Sequence, residues 1–183
     1  MRWIPFLILV YLIVLFETTL GRVLTIATAS LGTIGPDLTA LVAEFVAFYV
    51  RTGPDAMLAA WALGMAVDLT TTGGLGSVTV VGPMSLAYAL TAGVLFRLRE
   101  AFFRERALTQ ALLAWAFCTI AHGLWVTAQT LLAGGEAGWG AYGRTMGQAL
   151  AIACYSGLLM PLVHFSLGKC QRLFLHAPVG RGG

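Results

Sequence analysis

The chain has 183 residues, 58% of them hydrophobic and only 10% charged, with a mean hydropathy of +0.84. An ordinary soluble domain carries about 25% charged residues, so the composition reads as a membrane protein of a single domain, 1–183. The net charge of +3 is too small and scattered for nucleic-acid binding, and Cys118, Cys154 and Cys170 show neither CxxC nor His/Cys spacing, which excludes a disulfide framework or a zinc site.

A bilayer-crossing helix needs about 20 apolar residues. The first candidate is 3–20, interrupted by Glu17 near its end, where an acid reads as interfacial. Ala27-Thr28-Ala29 has the form of a cleavage site, but the preceding apolar stretch is long for a signal peptide and only Arg2 leads it, so the segment is expected to stay. Residues 23–35, rich in Thr, Ala and Gly, read as an outer loop or a re-entrant segment. The runs 36–50 and 54–69 are shorter and are split by Arg51-Thr52-Gly53, which predicts a tight hairpin of short spans. Gly35-Pro36-Asp37 and Gly53-Pro54-Asp55 repeat the same triplet 18 positions apart. Proline is tolerated at the first helical position and an acid complements the positive helix end, so each triplet is expected to open a helix. The runs 78–96, 107–133 and 145–168 contain no formal charge, and 169–183 reads as a cytoplasmic tail.

These spans number six and predict an all-α membrane protein with both termini on one side. On that side fall nine basic residues: Arg2, Arg51, Arg97, Arg99, Arg104, Arg106, Lys169, Arg172 and Arg181. The other side carries two, Arg22 and Arg144. By the positive-inside rule both termini of this multi-pass protein should be cytoplasmic.

Few residues could carry chemistry. Ala56, Ala60, Gly64 and Asp68 share a helix face, small side chains that admit a close neighbour followed by an acid. Beyond Asp68 lie three threonines and the pliable Gly73, Gly74 and Gly76. Asp68 either ties this turn to its helix or forms a ligand or proton site, and the first reading is favoured. Glu44 lies near the middle of its span, where an ionised group is costly and normally faces a partner inside the bundle. His122, His164 and Gln129 are candidate partners. Trp115, Cys118, His122, Trp125 and Gln129 form one stripe of the fifth span, which suggests contact with a helix rather than with lipid. In the sixth span Ala149, Ala153 and Gly157 form a small-residue stripe, and Pro161 predicts a kink. The loop 97–106, with four arginines and Phe102-Phe103, suits anionic lipid headgroups or a cytoplasmic docking partner. No GxSxG, HExxH or Walker motif occurs, so no enzyme, cofactor or metal is expected.

The run from Gly35 to Arg106 resembles the rod-shape-determining protein MreD family. The resemblance is carried by Pro36-Asp37-Leu38 opening a span, Gly53-Pro54 in the turn, Gly64, Asp68-Leu69, Gly73, Leu75-Gly76 and Phe96-Arg97-Leu98-Arg99. The insert Thr70-Thr71-Thr72 departs from the shorter Ser/Gly turn frequent in that family. The resemblance implies a non-enzymatic scaffold of the cell-elongation complex, similar in topology to the substrate-binding subunits of energy-coupling-factor transporters. It would pair with the bitopic protein MreC, and through it link MreB filaments to the peptidoglycan polymerase RodA and its transpeptidase. A vitamin-binding transporter subunit is the alternative on the same fold, with Glu44 or Asp68 in its pocket.

Overall fold

A computed structural model of the chain describes residues 2–19, 21–70, 81–99, 107–132 and 138–174. The turn containing Gly74 and Gly76, most of the arginine-rich loop and the end of the expected tail lie outside these residues. The described residues form six helices and one small hairpin. In chain order they are α1 (Trp3–Thr19), a 3-10 turn (Gly21–Leu24), β1 (Ile26–Thr28), β2 (Gly32–Ile34), α2 (Leu38–Tyr49), α3 (Gly53–Thr70), α4 (Pro83–Leu98), α5 (Ala107–Leu132) and α6 (Gly138–Phe174). Two stretches, Leu108–Leu132 in α5 and Trp139–Cys170 in α6, are long and apolar enough to cross a membrane. The helices α1, α2 and α4 are apolar but shorter.

The bundle is built around α2. Every residue from Thr39 to Phe48 is buried, the pattern of a helix with no solvent face, and α2 touches α1, α3, α4, α5 and α6. Around it, α3 pairs most extensively with α4, and α5 with α6. Small side chains allow this. A Cβ on Gly64 would lie 2.6 Å from the Cα of Ser85, and one on Gly157 would lie 2.9 Å from the Ala111 carbonyl oxygen and 3.1 Å from the Trp115 Cβ. Both small-residue stripes therefore sit at close helix crossings. The outward faces are apolar instead: Ile4, Leu7, Ile8, Tyr11 and Leu12 on α1, and Leu158, Leu162 and Phe165 on α6, are exposed.

Several boundaries differ from the sequence reading. Within 23–35, expected as an outer loop or a re-entrant segment, residues 26–34 form an antiparallel hairpin; Gly32 supplies a positive φ of 77° in its turn. The Gln148 amide holds it by donating to the Thr33 carbonyl at 2.8 Å. The two GPD triplets are also used differently. Gly53, Pro54 and Asp55 are the first residues of α3, whereas Pro36 precedes α2 and Asp37 is its N-cap. The difference arises because the Asp37 side chain turns back onto the Ala40 amide, which requires extended rather than helical backbone. Helix α4 opens at Pro83, after Gly82 at φ 122°. Helix α6 is much longer than the uncharged run 145–168. Its ends carry Arg144, Lys169 and Arg172, basic residues that favour helix, and Lys169 Nζ lies 4.2 Å from the Phe165 ring centre.

Candidate functional site

The start of α2 is where acids from two helices converge. A helix leaves its first four amides without internal partners, and at the start of α2 acids approach them. Glu17 of α1 lies against the amides of Leu38 and Thr39. The Ala40 amide donates to Asp37 Oδ1 at 2.8 Å, and the Leu41 amide to the Asp37 carbonyl at 3.2 Å. Two carboxyl groups at the positive end of one helix are stabilised by its dipole as well as by these bonds. Glu17 is thus a contact between α1 and the start of α2.

Asp37 is the hub of a wider network. Its Oδ1 also accepts from the Thr39 hydroxyl at 2.7 Å. Its Oδ2 accepts from the Tyr88 hydroxyl of α4 and lies 2.9 Å from His122 Nε2 of α5. Its own amide donates to Ser156 Oγ of α6 at 2.9 Å. A carboxylate offers about four acceptor sites, and Thr39, Ala40, Tyr88 and His122 fill them. All of these groups are buried. The cluster pins α2, α4, α5 and α6 to one point, and it leaves Asp37 no vacant lone pair with which to take a substrate proton.

Asp68 performs the same task at the start of α4. It sits at the far end of α3, and its carboxylate accepts from the amides of Gly82 at 3.0 Å, Met84 at 3.4 Å and Ser85 at 3.0 Å. Pro83 has no amide proton, and Leu86 donates to the Gly82 carbonyl. Gly82 has no side chain with which to cap the helix, so the cap comes from the neighbouring helix. Asp68 is thus tied to the start of α4; the turn with Gly73, Gly74 and Gly76 that it was expected to hold lies outside the described residues.

Glu44 is different. It is 2% exposed, and its Oε2 has no hydrogen-bond partner. It borders a small cavity with Tyr49, Gln110, His164, Phe45, Phe48, Leu113 and Met160, with room for about one water molecule. In that cavity His164 Nε2 lies 3.0 Å from the Gln110 amide nitrogen and 3.1 Å from the Tyr49 hydroxyl. Of the three partners expected for Glu44, His164 shares its cavity, His122 is committed to Asp37, and Gln129 lies buried farther along α5.

The aromatic stripe of α5 splits. Cys118, His122 and Gln129 face the core, while Trp125 is half-buried and Trp115 is 40% exposed, beside Gly157 of α6. Two positions that matter were not singled out from sequence: Tyr88 and Ser156. A hydroxyl in an apolar span is a weak signal for both. Arg99, expected as an orientation charge and as part of the Phe96–Arg99 stretch that carries the resemblance, donates to the carbonyls of Phe48 and Val50 at the end of α2 and stacks on Phe96, 3.9 Å from the ring centre. Among the described residues no three His, Cys, Asp or Glu side chains converge on a metal position.

The arrangement defines a helical bundle in which Asp37 and Asp68 serve helix ends. No protein-family model, curated protein or solved structure matches the chain.

Proposed function

We propose that this chain is a non-enzymatic, MreD-like scaffold of the bacterial inner membrane, crossing it six times with both termini in the cytoplasm. It would pair with an MreC-like bitopic protein and so couple MreB filaments to RodA and its transpeptidase. One observation carries the reading: Asp37, Gly64 and Asp68, which also carry the family resemblance, all act as joints between helices. Asp37 has four donors on its carboxylate and Asp68 three, while Gly64 admits the α4 backbone. The charge bias of nine basic residues to two supports the orientation.

The short spans fit the same picture. At 1.5 Å per residue α2 is about 18 Å long, against a hydrocarbon core of about 30 Å. Its ends would lie below the headgroups, where water cannot satisfy them and protein groups must. Glu17, Asp37 and Arg99 do so.

The test is co-purification with MreC and complementation in cells depleted of their own MreD. The wild-type chain is expected to retain MreC and restore rods, and Asp37→Ala to lose both. A well-folded wild-type chain that neither holds MreC nor restores rods would overturn the proposal. Capture instead of a vitamin together with a coupling subunit and its ATPases would move the chain to the transporter class.

A further inference from the structure

We propose that the cavity beside Glu44 is a binding site for one small monovalent cation: a proton, taken up by the carboxylate itself, or a sodium ion. Glu44 is 2% exposed at the centre of a helix surrounded by five others, and its Oε2 has no hydrogen-bond partner. An ionised carboxylate there is strongly destabilised unless a positive charge meets it. No lysine or arginine lines the cavity. A proton on the carboxylate or a guest cation beside it is what balances the charge.

The lining selects the guest. Space for about one water excludes an organic cation. The polar lining is Glu44, Tyr49, Gln110 and His164, and the rest is Phe45, Phe48, Leu113 and Met160. The carboxylate, the Tyr49 hydroxyl and the Gln110 amide oxygen are hard donors of the kind small cations take. His164 orients two of them, lying 3.1 Å from the Tyr49 hydroxyl and 3.0 Å from the Gln110 amide.

The other ionisable groups around α2 are placed elsewhere. Cys118 of α5 lies within electrostatic reach of both Glu44 and Asp37 and is hydrogen-bonded to Ser156 of α6. From α1, Glu17 meets the α2 start; from α4, Tyr88 meets Asp37 and Arg99 meets the α2 end. From α5, His122 meets Asp37, and Asp68 of α3 meets the start of α4. Glu44 thus shares its cavity with Tyr49 and His164, and among the other ionisable groups of the described residues Cys118 alone reaches it electrostatically.

Thermal melting of the detergent-purified full chain tests this, with Glu44→Gln beside wild type. One series varies pH in choline chloride; the other varies sodium chloride against choline chloride at fixed pH. The difference between wild type and variant isolates Glu44 from the other acids and histidines. For a proton, wild type melts progressively higher than its own neutral-pH value as pH falls, by a margin absent in Glu44→Gln. For sodium, wild-type melting rises with sodium and not with choline, again only while Glu44 is present. Identical dependence on pH and on sodium in the two proteins would overturn the proposal. Should Glu44→Gln fail to fold, His164→Ala and Gln110→Leu are compared in the same series, and both are expected to flatten the response.

Discussion

At the scale of single residues, the acids of this protein divide by how many donors they hold. Asp37 has its acceptor sites filled by Thr39, Ala40, Tyr88 and His122. Buried polar networks of this kind gain from low dielectric when complete and lose heavily when broken. Asp37→Asn replaces one acceptor oxygen with an amide group that confronts existing donors, either Tyr88 and His122 or Thr39 and Ala40. The expected cost is about 1–3 kcal/mol, that of a buried unsatisfied group. His122→Ala should remove the bond to Asp37 from the other side. Because the two residues share that bond, their effects should fall short of additive by about 0.5–3 kcal/mol. Thermal melting of both single variants and the double variant measures this; strict additivity would mean that the pair is not coupled. Asp37 was legible in sequence as the acid of a GPD triplet. Its partners were not, because Tyr88 and His122 lie 51 and 85 residues away, and only the packing of α4 and α5 around α2 selects them.

At the scale of elements, the recurring problem is a helix end out of reach of water. The starts of α2 and α4 and the end of α2 are each satisfied by a side chain from another helix: Glu17, Asp68 and Arg99. Sequence inspection finds caps within a residue or two of a helix start, and it finds Asp37 that way. It cannot see a cap donated from 14 to 17 residues upstream, as Asp68 gives to Gly82 and Ser85. It also understated α6, whose charged ends do not look like a span. The close crossings were more readable, since Gly64 and Gly157 lie on stripes of small residues with helical spacing. Asp68→Ala removes the acceptor for three amides, and Gly82 has no side chain to replace it. Loss of a cap costs about 0.5–2 kcal/mol, and the upper half of that range is expected at this buried site. Hydrogen exchange should show the gain in exchange concentrated in the first turn of α4. Exchange that rises evenly along the helix would mean that Asp68 acts on the whole α3–α4 pair.

At the scale of the whole molecule, apolar residues cover both the core and the exterior. Hydropathy therefore located most helices but could not rank them by burial. Thus α1 and α2 look alike in sequence, yet α1 buries only Phe6 and Val10 while α2 is buried along almost its whole length. What distinguishes α2 is the polar groups it carries, Asp37, Thr39 and Glu44, which a lipid-facing helix could not accommodate. With α2 at the centre, the orientation proposed above can be argued from its two ends. The α2–α3 turn carries Arg51 and sits beside Arg99, whereas the β1–β2 hairpin at the other end has no charged residue between Val23 and Pro36. The positive-inside rule assigns the arginine end to the cytoplasm. Single cysteines at Ala29 and at Arg51, both exposed positions, test this in a background carrying Cys154→Ser and Cys170→Ser, with Cys118 left in place because it is buried. In intact spheroplasts a membrane-impermeant maleimide should label Ala29→Cys at once and Arg51→Cys only after permeabilisation. The reverse pattern would invert the bundle and place the Asp37 network, not Arg99, at the cytoplasmic end. Labelling of both positions from outside would mean that α2 does not traverse the bilayer.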